Sequence, residues 1–174
     1  AVTTNDDQLA ETLRLMRNFG FKGYDNVIHP GTNGKMIEVC AAMGLANLDG
    51  FDAIVAANQR THSAYQQRLA AIPGIKVLTY DANERNNHHY VVVEVDKGCP
   101  VSRDDLIAAL HANNILVRKY FWPGCHRMQP YRDLFPHAGL MLPQTLELAE
   151  RVMVLPAGAN MTSQQVEAVC DVIR

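Results

Sequence analysis

The sequence of 174 residues contains no long hydrophobic run and no excess of basic residues. A helix that crosses a membrane needs about 20 consecutive, mainly apolar residues, and the apolar stretches of this chain are far shorter. The net charge of −2 provides no basic surface of the kind that binds nucleic acid. Hydrophobic residues make up 48% and charged residues 20%, which is typical of a folded globular protein. We therefore expect neither a membrane nor a nucleic acid as partner.

Cysteine is scarce and scattered. The chain has only four cysteines, and none forms a C-x-x-C pair: Cys40, Cys99, Cys125 and Cys170. Scattered cysteines are typical of a protein in a reducing compartment, so we predict a cytoplasmic protein. The adjacent pairs His88-His89 and Cys125-His126 do not have the spacing of a zinc motif, and neighbours on a strand point to opposite faces. We predict that the chain holds no metal.

The spacing of apolar residues changes near residue 75 from a helical period to a strand period. Before it, we predict a helix that begins after Asn5, an apolar helix after Thr32-Asn33, and a longer helix from about Asp49 to Ala71. After it, we predict four strands, IKVLTY (75–80), HYVVVEV (89–95), ILVRKYF (115–121) and RVMVLP (151–156), and helices that begin after Ser102, near residue 144, and after Thr162. Hairpins and crossovers mix in this order, which predicts an α+β domain with an antiparallel or mixed sheet and helices mostly on one face.

The helix predicted after Thr32-Asn33 is apolar nearly all round its surface. A helix of that kind is normally buried on several sides, but the front third of the chain is too small to close a core around it. A large exposed apolar patch usually marks an interaction surface. We therefore expect this helix to be covered by another chain or by a missing N-terminal part.

The turn Thr32-Asn33-Gly34-Lys35 allows two interpretations. Side-chain oxygens such as those of Thr32 and Asn33 commonly cap the first N–H groups of a helix. Free N–H groups at a helix start also bind anions, and Lys35 would add positive charge. The turn alone favours a plain cap, because most helices have one and few bind phosphate. Its spacing is not that of a Walker A loop.

A loop of about twenty residues follows the third predicted strand, WPGCHRMQPYRDLFPHAGLMLP (122–143). Long loops inside a compact domain are usually functional or disordered, and the aromatic residues and histidines argue against disorder. The loop either presents these side chains to a polar ligand or packs as a cover over the sheet. A Cys125-His126 nucleophile pair is a weaker idea, because such pairs usually come from separate parts of a fold. The Asp104-Asp105 pair lies at a helix start and is interpreted as capping chemistry.

Several segments in order resemble one known family. They are RNFGF (17–21), GTNGKM-x-E-x-x-AAMGL (31–45), Arg60 in the next helix, YFWPGCH (120–126) with a tyrosine soon after, RVMVLPAG (151–158) and MTSQQV (161–166). Together they resemble the C-terminal part of the DegT–StrS family of pyridoxal-phosphate-dependent sugar aminotransferases, which have the fold-type I architecture.

The resemblance implies a division into three parts. Residues 1–32 would be a remnant of the large cofactor domain, 33–72 would be linking helices at a subunit interface, and 73–174 would form the α+β small domain. It also implies a homodimer in which Asn33 reaches across to the pyridoxal phosphate of the other subunit, with Lys35 beside it. Tyr120, His126 and Tyr131 match the loop that lies near the nucleotide sugar.

The resemblance further implies that the family's Schiff-base lysine precedes the segment AVTTND (1–6). The five lysines present lie after that point, and none has the family context: Lys22, Lys35, Lys76, Lys97 and Lys119. We therefore assign no catalytic residue and expect no covalently bound cofactor. The expected function is the C-terminal portion of an aminotransferase that moves an amino group from glutamate to a nucleotide-linked keto sugar, inactive alone. The alternative is a stand-alone module, without catalysis, that binds nucleotide sugars or dimerises.

Overall fold

A computed structural model describes residues 1–174, which divide into two compact units. The first unit comprises residues 1–50 and the second comprises residues 51–174. This division places one boundary between Gly50 and Phe51, whereas the sequence predicts boundaries after residues 32 and 72. The three-part division by family likeness stays a prediction.

The first unit contains two helices, α1 (Asp7–Arg17) and α2 (Glu38–Asp49). Helix α1 is capped by Asp6, whose carboxylate accepts a hydrogen bond of 3.0 Å from the Leu9 N–H. The predicted cap, Asn5, is therefore wrong by one residue, because Asp6 is the residue with extended backbone from which a carboxylate reaches the first turn.

The chain between α1 and α2 folds back on the end of α1. The Thr32 N–H donates to the Met16 carbonyl, the Phe19 N–H donates to the Thr32 carbonyl, and the Gly34 N–H donates to the Arg17 carbonyl. These bonds hold Thr32 and Gly34 in an extended segment. The predicted cap at Thr32-Asn33 is consequently wrong: α2 begins at Glu38, and its N-cap, Ile37, makes no side-chain capping bond.

No residue of α2 is buried within this chain. Its large apolar side chains are mostly exposed, with fractions between 59% and 71% for Val39, Met43, Leu45 and Leu48. Sequence analysis predicts that this helix is buried, and the single chain does not bury it. No single helix of the protein is long and apolar enough to cross a membrane, although α2 and the following helix (Phe51–Leu69), taken together across the break at Gly50, have the length and composition to do so.

The second unit is built on a four-stranded antiparallel sheet in the order β1-β2-β4-β3. The strands are β1 (Ile75–Val77), β2 (Val91–Val95), β3 (Arg118–Lys119) and β4 (Val152–Leu155). The register places Val93 opposite both Val77 and Met153. The predicted α+β fold with an antiparallel sheet is confirmed, although β1 and β3 are shorter than IKVLTY and ILVRKYF.

Three helices provide the other half of the core: α3 (Phe51–Leu69), α4 (Arg103–Ala112) and α8 (Ser163–Ile173). Strand β2 alternates buried and half-buried residues, because successive side chains of a strand point to opposite faces. The buried face of β2 packs with residues of the three helices in one hydrophobic cluster that includes Tyr65, Leu110 and Val166. Helices therefore cover one face of the sheet, as predicted.

The caps predicted for the last helices are present. Ser102 accepts a hydrogen bond from the Asp105 N–H at the start of α4. Thr162 and Gln165 form a complete capping box at the start of α8. The loop after β3 contains a short 3-10 turn (Cys125–Arg127) and helices α5 (Tyr131–Leu134), α6 (Ala138–Met141) and α7 (Pro143–Ala149).

Candidate functional site

An open cavity of about 710 Å³ lies beside the loop after β3 in the second unit. Among its lining residues are the three that sequence analysis assigns to the sugar nucleotide: Tyr120, His126 and Tyr131. The remaining wall is mostly apolar and includes Phe135 and Leu148. A cavity of this size with a few polar groups in an apolar wall is the usual form of a small-molecule site.

His126 is a polar residue of the cavity wall with unused hydrogen-bonding capacity. Its Nε2 atom is buried and has no hydrogen-bond partner. Such a buried nitrogen costs free energy unless a ligand or a water satisfies it. The imidazole also lies against the backbone of Gly124, which has φ +98°. A β-carbon at Gly124 would come within 2.7 Å of His126 Cε1 and 3.0 Å of His126 Nδ1.

Asn33 and Lys35, the residues assigned to the cofactor phosphate, lie in the first unit and are exposed. Asn33 pairs with Asn18 in an isolated antiparallel bridge. The Lys35 ammonium donates to the Asn18 side-chain oxygen at 3.3 Å and lies 4.9 Å from the centre of the Phe19 ring. Both side chains carry N–H donors, which is the chemistry that a phosphate group needs.

Asp104 takes part in an ion-pair network that sequence analysis did not predict. Its carboxylate accepts a hydrogen bond of 2.8 Å from the Lys119 ammonium and also pairs with Arg103. The hydrogen bond from Lys119 is the main cause that lowers the pKa of Asp104. The predicted capping role fits Asp105, which Ser102 bonds, whereas Asp104 is mainly an ion-pair partner.

Arg103 is the buried centre of this network, with a side chain only 1% exposed. Its Nη1 donates to the carbonyl oxygens of Ala149 and Val152 at 2.8 Å each, and its Nη2 lies 3.8 Å from the Glu150 carboxylate. One feature of the sequence points to this role. A positively charged arginine in the first turn of a helix interacts unfavourably with the helix dipole, so an interaction outside the helix is expected to hold it there.

A second polar cluster lies where α3 meets the segment between β1 and β2. The buried His62 ring lies 5.1 Å from Tyr80 and 5.5 Å from His88, measured between ring centroids. His62 Nε2 lies 2.9 Å from the Leu78 carbonyl oxygen, whereas His88 Nδ1 is buried without a partner. Burial, together with the nearby His62, lowers the pKa of His88. The sequence gives no signal that brings His62 together with His88, because the two residues lie in different elements, 26 positions apart.

No three His, Cys, Asp or Glu side chains come together in a group that could hold a metal ion. The four cysteines are free thiols. Cys125 and His126 follow one another in the 3-10 turn, and both line the cavity.

The comparison with known proteins agrees with this architecture. The whole chain, residues 1–174, matches the DegT/DnrJ/EryC1/StrS aminotransferase family and belongs to it. The resemblance inferred from the quoted segments is thus confirmed.

Several individual relatives are named for work on nucleotide sugars. The chain is 30% identical, over 100% of its own length and 47% of the other's, to the dTDP-4-amino-4,6-dideoxy-D-glucose transaminase of Shigella dysenteriae. It is 32% identical to the GDP-perosamine synthase of Caulobacter vibrioides, over 97% of this chain and 45% of that one. The solved structure of DesI in the presence of its TDP-sugar product is 41% identical, with a TM-score of 0.85, over 98% of this chain and 43% of DesI.

The chain therefore spans less than half the length of these relatives. They show that the described residues form part of an aminotransferase fold.

Proposed function

We propose that this chain is the C-terminal portion of a pyridoxal-phosphate-dependent aminotransferase, which moves an amino group from glutamate to a keto sugar linked to a nucleoside diphosphate. The observation that carries the proposal is the cavity of about 710 Å³, in which Tyr120, His126 and Tyr131 meet. The activities of the relatives, a dTDP-sugar transaminase and a GDP-perosamine synthase, support the substrate class.

The cavity residues have a role that follows from their chemistry. The aromatic rings of Tyr120 and Tyr131 offer flat apolar surface, and apolar sugar faces and nucleobases pack on such rings. Nε2 of His126 is buried without a partner, so the imidazole would have to turn toward the cavity to bind the sugar. In that position Nε2 would take up a hydroxyl or carbonyl of the sugar and gain the hydrogen bond that it lacks. Binding there would orient the sugar and exclude water from it.

The residues proposed to bind the cofactor, Asn33 and Lys35, belong to the first unit. When bound, pyridoxal phosphate supplies the electron sink that lets the amino group move. We propose that the side-chain amide of Asn33 and the ammonium of Lys35 bind its phosphate on a partner subunit. Lys35 would have to exchange its bond to the Asn18 side chain for the phosphate.

None of the five lysines of this chain is proposed to hold the cofactor covalently. The test is incubation of the chain with pyridoxal phosphate, reduction with borohydride, and peptide mass spectrometry. The expected result is scattered labelling below stoichiometric amounts. A stoichiometric adduct on one lysine would contradict the proposal.

A second candidate function is assembly alone, as a stand-alone module that dimerises. The specific observation in its favour is the exposed apolar surface of α2, which this chain leaves without a partner. Titration with nucleotide sugars separates the two candidates. Saturable binding supports the sugar site, and its absence together with dimer formation favours assembly.

A further inference from the structure

Trp122, the only tryptophan of the chain, lies between two charged side chains at the start of the cavity loop. The Lys119 ammonium lies 4.4 Å from the centre of its indole ring. The indole N–H donates to the Glu150 carboxylate at 3.4 Å. A cation over the face of an indole is attracted by the ring's electrons, and a carboxylate is a suitable acceptor for the indole N–H.

Each of the two charged residues has a second partner in the first turn of α4. Lys119 belongs to β3, and Asp104 at the start of α4 accepts a hydrogen bond from its ammonium. Glu150 follows α7 directly, and its carboxylate faces the buried Arg103 at 3.8 Å and Arg127 at 3.9 Å. Arg103 is anchored by backbone carbonyls on both sides of Glu150. Lys119 and Glu150 thus each connect Trp122 to the first turn of α4, Lys119 by a hydrogen bond to Asp104 and Glu150 by a longer ion pair with Arg103.

We infer that Lys119 and Glu150 are positioning residues, which clamp Trp122 at its face and at its edge and so fix the loop that carries His126 into the cavity. This clamp, the two contacts of Lys119 and Glu150 with Trp122, is inferred from the structure alone. Only its consequence for a bound sugar rests on the proposed function. From Trp122 to His126 the chain runs through Pro123, Gly124 and Cys125, and the Gly124 N–H donates to the Phe121 carbonyl at 2.7 Å. A displacement of Trp122 is transmitted to His126 because this connection is short and internally bonded.

The experiment uses the fluorescence of Trp122, which is unambiguous in a chain with one tryptophan. Acrylamide is the suitable quencher because it is neutral and does not respond to the charges that the variants remove. Lys119→Met keeps the aliphatic stem and removes the ammonium. Glu150→Ala removes the acceptor, whereas Glu150→Gln keeps an acceptor oxygen without the charge.

The clamp predicts that Lys119→Met and Glu150→Ala raise the quenching constant by up to about two-fold, because a ring that is 42% exposed can gain little more than that. Glu150→Gln should restore most of the wild-type value. The matched controls are Lys22→Met and Glu84→Gln, exposed residues outside the network, which should leave quenching unchanged.

The second measurement is the histidine region of the NMR spectrum. The His126 signal is identified as the one that is absent from the spectrum of His126→Ala. We expect the His126 signal to shift in Lys119→Met and in Glu150→Ala, while thermal melting shows that both variants are folded. Unchanged quenching in both variants would overturn the clamp. A change at Trp122 with an unmoved His126 signal would overturn the transmission to the cavity.

A titration with a dTDP-linked sugar then separates the two proposals. If the wild type does not bind the sugar, the proposed function fails, and the fluorescence and NMR results still decide the clamp.

Discussion

The imidazole of His126 lies against the backbone of Gly124, so close that a β-carbon at position 124 would approach His126 Cε1 to 2.7 Å. Glycine is thus required here for two reasons, the contact and the positive φ of +98°. Of the two, the contact concerns the cavity directly, since His126 lies in the cavity wall and has a buried nitrogen without a partner.

The substitution Gly124→Ala should push the imidazole out of its present position and weaken the binding of a nucleotide sugar. A side chain at positive φ should also cost about 1–3 kcal/mol of unfolding free energy. The control is Gly158→Ala, whose φ is +136° but whose β-carbon would meet no atom within 4 Å. Both variants should lose stability in urea, and only Gly124→Ala should lose affinity. Equal affinity in the two variants would be evidence against the contact.

The hydroxyl of Tyr65 is buried and donates to the Pro156 carbonyl at 3.1 Å. Tyr65→Phe should therefore lower the free energy of unfolding by about 1–2 kcal/mol, because it removes a buried hydrogen bond and leaves the carbonyl without its donor. Tyr24→Phe, at a residue that is 98% exposed, is the matched control and should change nothing. Denaturant unfolding monitored by circular dichroism measures the free energy of unfolding of both variants. An equal free energy for Tyr65→Phe and Tyr24→Phe would contradict a stabilising role for this hydrogen bond.

The His88 cluster should make stability depend on pH. The pKa of His88 is lowered from its ordinary value of 6.5 by burial and by the nearby His62. The unfolded chain therefore takes up a proton at this group at a higher pH than the folded chain. The contribution of neutral His88 to the free energy of unfolding is fully present above about pH 6.5 and is lost as the pH falls from there toward the pKa of the folded protein.

The variant His88→Asn removes the titrating ring and keeps a residue that tolerates the positive φ of 47° at this position. Unfolding free energy measured between pH 7.5 and pH 5, a range of about 2.5 units chosen around the ordinary histidine pKa, should fall less steeply in the variant. His89→Asn, at the exposed neighbour, should behave like the wild type. Parallel curves for the wild type and His88→Asn would rule out this origin of the pH dependence.

The apolar surface of α2 should mediate self-association. Met43 is 59% exposed in the single chain. Met43→Glu places a charge on this surface, and burying that charge at a dimer interface would be costly. Light scattering should give a dimer for the wild type and a shift toward monomer for the variant. Leu116→Glu, at an 83% exposed residue of the second unit, should leave the dimer intact. A wild type that stays monomeric at high concentration would contradict the prediction.

The sequence predicts the second unit better than the first. The strand-like run HYVVVEV and the caps Ser102 and Thr162 are local signals, and the strand and both helices appear in the structure where they were expected. The start of α2 could not be predicted in this way. Thr32 and Asn33 have the composition of a cap, but hydrogen bonds to the end of α1, some fifteen residues away, hold them in extended backbone.

The residues of the candidate site were predicted from the family resemblance. Tyr120, His126 and Tyr131 are close in the sequence, and all three line one cavity, whereas their role toward a sugar stays a prediction. The pairing of Asp104 with Lys119, or of Trp122 with Glu150, joins elements that only the tertiary fold brings together. Local periodicity carries no information about such pairs.

The most direct measurement is a calorimetric titration of the wild type and of His126→Ala with a dTDP-linked amino sugar. The wild type should bind saturably, and His126→Ala should bind about ten-fold more weakly, since one hydrogen bond to a buried group contributes roughly 1–3 kcal/mol. Absence of saturable binding, or equal affinity of the two proteins, would contradict a nucleotide-sugar site in this cavity.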